Sequence, residues 1–115
     1  MEARERNVRY YEHGDYCPFR EWMGALRDGR VMAAIDARIA RFRTGNFGDS
    51  KSIGGGASES RINLGPGYRI YYGVDGDDII VLSGGDKGTQ TTDIRDALSY
   101  WKRYKERKGR GRKQT

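Results

Sequence analysis

Two arginines, Arg61 and Arg69, stand on either side of Gly65-Pro66-Gly67, each inside a segment rich in β-formers, and Lys87 follows a third such segment. Guanidinium groups hold phosphate oxygens bidentately, and fixed cations stabilise negative charge as it develops, so a set of this kind suits a phosphodiester. Whether it forms depends on strand parity, because a slip of one residue sends a side chain to the opposite face. A two-residue turn through Pro66 would set Arg61 opposite Tyr72, on the other face from Arg69. A three-residue loop pairs Leu64 with Tyr68 and brings Arg61, Asn63, Arg69 and Tyr71 to one face, leaving Ile62, Leu64, Tyr68, Ile70 and Tyr72 on the other. Segregation of polar from apolar side chains favours the odd loop. Asp75-Gly76 is a strong two-residue hairpin signal. It pairs strand 68–74 with strand 77–83 and adds Ile79 and Val81 to the apolar face, Ile80 and Leu82 to the arginine face.

Elements on both sides must hold this meander in place. Val8–Glu12 reads as one more strand beside it. Pro18 suits a first helical turn, and Phe19, Trp22, Met23 and Leu26 follow the i, i+3, i+4, i+7 spacing of a buried helix face, closed by Asp28-Gly29. Met32, Ile35, Ile39 and Phe42 give a second helix its stripe. Residues 44–57 read as a flexible glycine-rich connection carrying Lys51. No strand precedes its three adjacent glycines and no G-K-[ST] follows, which argues against a nucleotide P-loop. Gly84-Gly85-Asp86-Lys87 reads as a turn. Thr91 or Thr92 can cap a last helix with Asp93 and Asp96 in its first turn and Ile94, Ala97, Leu98 and Trp101 as its apolar stripe. The expected class is α+β: strand, two helices, a three-stranded antiparallel meander, and a C-terminal helix with a basic tail. One domain spans residues 1–108, and the helix is expected to dissolve at Gly109 and Gly111 into a disordered basic tail, 109–115.

The chain has 115 residues, 36% hydrophobic and 33% charged, with a net charge of +6. That charge is concentrated. Residues 102–113 hold eight basic groups and one acidic one, leaving 14 of the 22 basic and 15 of the 16 acidic residues elsewhere. The tail, with Lys102, Arg103 and Lys105 at its start, either binds a phosphate-rich partner or is solvated ballast. A single cysteine, Cys17, excludes an internal disulfide framework, and one cysteine with one histidine cannot build a zinc site. No cofactor or metal is expected. Asp75, Asp77 and Asp78 read as a solvated hairpin tip. His13 is alone, which excludes a two-histidine nuclease mechanism. The absence of a long apolar run and of a signal-peptide pattern points to a cytoplasmic protein without membrane contact.

The stretches P-F-R-E-W (18–22), T-G-N-F-G-D-S-K (44–51), E-S-R-I (59–62), G-P-G-Y-R-I-Y-Y (65–72), S-G-G-D-K-G-T-Q (83–90) and D-I-R-D-A (93–97) together resemble the RelE/ParE superfamily of type II toxin–antitoxin toxins, in particular its HigB-like addiction module killer branch. The resemblance covers about residues 8–104. It implies a small, metal-independent endoribonuclease, an mRNA interferase acting on transcripts at the ribosome. It also implies neutralisation by a cognate antitoxin with a helix-turn-helix domain, through which alone the toxin would meet operator DNA. By position it makes Arg69 the closest match to a functional arginine of these toxins and puts Lys87 where the family has another basic residue, with Arg61 and Lys51 as weaker correspondences. Gln90 closes the motif that carries Lys87 and is grouped with Lys51, Lys102, Arg103 and Lys105 as substrate-binding. RelE has a tyrosine near the start of its last helix; here those positions are Asp93 and Ile94.

RNA cleavage without metal needs a base for the 2′-hydroxyl, charge stabilisation at phosphorus and an acid for the 5′-oxygen. Arg61, Arg69 and Lys87 suit the second task. Glu59, Tyr71 or a lysine among the arginines could move protons, with Glu59 otherwise pairing with Arg61 or Lys51. Tyr71 could instead stack on an unpaired base. Two other readings remain: a ParE-like inhibitor that binds DNA gyrase, and a catalytically silent member that binds only its antitoxin or nucleic acid.

Overall fold

The computed structural model describes residues 5–113, with side chains described as far as residue 109. Five strands and three α-helices follow in the order β1 (Asn7–Tyr10), α1 (Pro18–Ala25), α2 (Gly29–Phe42), β2 (Asp49–Gly54), β3 (Ala57–Ile62), β4 (Tyr68–Asp75), β5 (Asp78–Asp86) and α3 (Gln90–Lys113), with a 3₁₀ turn, Lys87–Thr89, leading into α3. The sheet order is β1-β5-β4-β3-β2, antiparallel except for β1, which runs parallel to β5. The α+β class and the expected elements are therefore present, with one strand more than the sequence pattern announces. Among the described residues no helix is long and apolar enough to cross a membrane.

Helices sandwich the sheet. On one face Phe19 of α1 and Val31, Ile35, Ile39 and Phe42 of α2 pack on Ile62, Ile70, Tyr72, Ile79 and Val81. On the other, Ala97 and Trp101 of α3 cover Tyr71, Ile80 and Leu82, with Ile94 and Leu98 at the margin. Alternation along β4 and β5 thus feeds two cores, as a sheet buried on both sides requires. The α2 stripe is rotated slightly from the expected one, Val31 rather than Met32 being buried. Asp28 caps α2, its carboxylate accepting the Arg30 amide at 2.9 Å, whereas α1 has already ended at Ala25.

Several local expectations are corrected. Residues 49–54 are not a flexible connection but the edge strand β2, and Lys51 sits in register opposite Glu59. Gly84 and Gly85 lie within β5 rather than in a turn, because a Cβ there would stand 2.1 Å from the Trp22 ring and 1.8 Å from the Asp93 carboxylate. Asp86, not Thr91 or Thr92, caps the 3₁₀ turn at the entrance to α3: its carboxylate accepts the Thr89 amide at 3.1 Å in a reciprocal capping box. The helix does not dissolve at Gly109 or Gly111 but runs to Lys113. The expected disordered tail is thus helical over 109–113, and residues 114–115 lie outside the described part.

The acidic hairpin tip is also more than a solvated turn. Asp75 accepts the Tyr104 hydroxyl at 2.6 Å and pairs with Lys108, fixing α3 to the end of β4. Asp78 pairs with Arg9 at 3.3 Å, beside the β1–β5 register. Burial, with the hydrogen bond and charge of Asp75, pushes the Tyr104 phenol up to about 12.

Helix α3 approaches the sheet closely because β4 has no side chain at Gly73, where a Cβ would come within 2.6 Å of the Trp101 ring. Gly73→Ala should therefore destabilise the fold by about 1–3 kcal/mol through overpacking. Equilibrium urea unfolding measures this, and an unchanged midpoint would show that α3 does not sit on β4 in this way.

Candidate functional site

Parity at the β3–β4 connection is odd, as the segregation argument requires, but the loop has five residues, Asn63–Gly67, rather than three. Ile62 pairs with Tyr68, so the expected Leu64–Tyr68 pair is absent and Arg61 faces Arg69 directly across the ladder. The longer loop turns on itself, the Gly67 amide donating to the Leu64 carbonyl at 3.0 Å, with Gly65 and Gly67 at φ of 55° and 90°. These left-handed conformations explain why glycine flanks Pro66. The Lys87 amide then donates to the Gly67 carbonyl at 3.0 Å, joining the end of β5 to the loop. The result is an open cleft of about 380 Å³ lined by Arg61, Asn63, Gly67, Arg69 and Lys87.

Like charges directly opposite on a ladder repel, and each arginine here is offset by a carboxylate. Arg61 pairs with Asp49 of β2 at 3.0 Å. Arg69 Nε lies 3.5 Å from Glu59, close enough for an ion pair but not aligned as a hydrogen bond. The Glu59 side chain is 3% exposed and that of Arg69 is 11% exposed. Glu59 also accepts from the Gln90 side chain at 3.1 and 3.4 Å, which ties the first residue of α3 to the pair. Glu59 thus binds neither Arg61 nor Lys51, as its spacing suggested, but Arg69 from the adjoining strand.

Of the expected residues, the cleft gathers Arg61, Arg69 and Lys87, while Gln90 does not line it and is linked to Arg69 only through Glu59. Lys51 is on the exposed edge strand. Lys102, Arg103 and Lys105 lie at least twelve residues along α3 from Gln90, about 18 Å at helical rise. Lys105 is engaged there, donating to the Gly55 carbonyl at 3.1 Å and lying over the Trp101 ring. Tyr71 is corrected: it is fully buried beneath α3, so its ring is not offered to a base. Burial first, then the charges of Asp93 and Glu59, raises its phenol above the usual tyrosine value, and its hydroxyl has no hydrogen-bond partner among the described residues.

A residue outside the expected set supports the site. Arg38 of α2 donates to the Ser60 hydroxyl at 2.7 Å and to the Arg61 carbonyl at 2.8 Å, and burial lowers its pKa. Its guanidinium fills the place a side chain at Gly48 would take, since a Cβ there would stand 2.6 Å from it. The only hint in the sequence is the second glycine of G-N-F-G-D, which answers both to a left-handed φ of 66° and to this close approach. Among the described residues no group of three or more histidines, cysteines or carboxylates could hold a metal ion.

The chain is similar to an uncharacterized protein of Haemophilus influenzae, 48% identical over 80 residues that span 69% of this chain and 81% of that protein. No family model matches the chain, and no solved structure matches it.

A buried hydroxyl without a partner costs stability, so Tyr71→Phe should raise the unfolding free energy by about 1 kcal/mol at neutral pH. The alkaline side gives a second reading. The Tyr71 phenol is raised in the folded state, so its contribution is fully present below the unfolded value of about 10 and is lost as pH rises toward the folded one. Urea unfolding between neutrality and pH ~11 should show a shallower decline in Tyr71→Phe than in the parent; parallel declines would mean the phenol is not held protonated.

Proposed function

The chain belongs to one family with that Haemophilus influenzae protein, and we propose that it is a toxin of a type II toxin–antitoxin system, a metal-independent mRNA endoribonuclease of the RelE/ParE superfamily. The observation that carries the reading is the pairing of Arg61 with Arg69 across β3 and β4 beside Lys87 at one open cleft. Three cations from three segments converge where a phosphodiester in an extended strand can reach them. Arg61 and Arg69 hold the non-bridging oxygens and stabilise the charge that develops when the 2′-oxygen attacks phosphorus. The 2′-hydroxyl proton passes to solvent in the open cleft, and Lys87, exposed at the rim, protonates the departing 5′-oxygen, whereas Glu59 and Tyr71 are buried and out of reach of the substrate. On this reading the protein acts on transcripts at the ribosome and is silenced by a cognate antitoxin carrying a helix-turn-helix domain. The basic end of α3, about 18 Å or more along the helix from Gln90, adds a salt-sensitive attraction to RNA outside the reacting position.

One observation favours a second reading. Arg69 is mostly covered and already engaged by Glu59, which suits a site that binds protein rather than one that turns over RNA. In that case the chain is a ParE-like inhibitor of DNA gyrase or a silent antitoxin-binding member.

Induction of the chain alone, with transcript ends mapped, separates the readings. Growth arrest with new 5′-hydroxyl ends on mRNA is expected, and Arg61→Ala or Lys87→Ala should lower cleavage about 10²-fold or more while leaving the fold intact. Arrest with intact mRNA and broken or mis-supercoiled DNA would establish the gyrase reading instead.

A further inference from the structure

Away from the arginines the molecule carries a second cleft whose chemistry is the reverse. It has a volume of about 300 Å³ and opens between α1 and α3 over the later part of β5. Register explains why it exists. β1 pairs with β5 only from Asp78 to Val81, so the outer side of β5 beyond that point is not covered by β1. Gly84 and Gly85 lie within this stretch, and their missing side chains let Trp22 press on the strand from α1 and Asp93 from α3.

The lining includes the carboxylates Glu21, Asp93 and Asp96 and the rings of Trp22, Tyr16 and Tyr100 and, among the described residues, no basic side chain, in a chain of net charge +6. Of the nearby cations, Arg20 lies over the Tyr10 ring, Arg103 acts on the Tyr100 phenol by its charge, and Arg95 pairs with Asp96 at 3.5 Å where both side chains are exposed. Asp93 accepts the Thr89 hydroxyl, yet burial and the charges of Asp86 and Asp96 hold its carboxyl above the ordinary value. An independent feature points into the same place. Ser83 lines the cleft at 8% exposure, and its buried Oγ has no hydrogen-bond partner among the described residues. Tyr16, at the mouth, is 46% exposed, one of the few large apolar side chains turned to solvent.

We propose that this cleft receives the guanidinium of an arginine presented by a peptide segment of a partner protein. A planar cation with several donors satisfies the convergent carboxylates and the Ser83 hydroxyl together, and aromatic walls favour it over a compact ammonium. The inference is independent of RNA cleavage, because the arginine-lined cleft and this one share no lining residue.

The test uses the full chain and a blocked Gly-Arg-Gly tripeptide at low salt, followed by amide and indole NMR shifts. Saturable shifts at Ser83, Gly84, Asp93, Asp96 and the Trp22 indole are expected, and the neutral citrulline tripeptide should bind about tenfold or more weakly. Glu21→Gln combined with Asp96→Asn should weaken the arginine peptide by a similar factor, the same spectra reporting that the fold is kept. Equal binding of the citrulline peptide, or shifts confined to other surfaces, would overturn the proposal. So would shifts at this cleft that appear on concentrating the protein alone, since they would assign it to the basic α3 end of a second copy.

Discussion

The Glu59–Arg69 pair is the constraint on which the arrangement of the site depends. An ion pair withdrawn from water loses hydration on both sides and is kept only when its geometry and further hydrogen bonds compensate. Here Gln90 supplies the added bonds to Glu59, and the loop carbonyl of Gly67 lies 3.5 Å from Arg69 Nη1. The start of α3, the middle of β3 and the five-residue loop are therefore fixed relative to one another by a single buried charge pair. Loss of either partner leaves the other charge uncompensated and loosens all three. The same pair limits how freely Arg69 can meet an anion in the cleft, because a phosphate must compete with a carboxylate already in place.

Much of the fold can be read from local chemistry. Asp75-Gly76 and the apolar alternation on each side lead directly to β4 and β5, and the stripes of α1, α2 and α3 cover the faces they indicate. Parity at Pro66 follows from the need to separate polar from apolar side chains, a strong signal where both faces are buried. Loop length does not follow from it, since three and five residues give the same parity. That is why the faces of Arg61 and Arg69 are legible while their direct pairing is not.

What the sequence conceals is hidden for physical reasons. β2 is an edge strand whose residues, Asp49 to Gly54, are nearly all exposed, so no alternation marks it and its glycine resembles a breaker. Such an edge, short, polar and disturbed by an irregularity between Ser52 and Gly54, resists pairing with another chain. Gly84 and Gly85 read as a turn because their role is defined by Trp22 and Asp93, residues distant in sequence. Glu59 looks like a loop carboxylate until β4 is placed beside it, and Arg38 looks like a solvent-facing helix residue until Ser60 and the Arg61 carbonyl are found within its reach.

The parallel pairing of β1 with β5 has a consequence for the birth of the protein. Asn7–Tyr10 leave the ribosome well before Asp78–Val81, the residues they pair with, have been synthesised. The hairpin of β4 and β5 closes locally, whereas β1 must wait for a partner some seventy positions downstream. A nascent chain stalled short of β5 therefore carries its first strand with no ladder to join. The sheet, and the two faces that α1, α2 and α3 cover, can be completed only after most of the polypeptide has emerged.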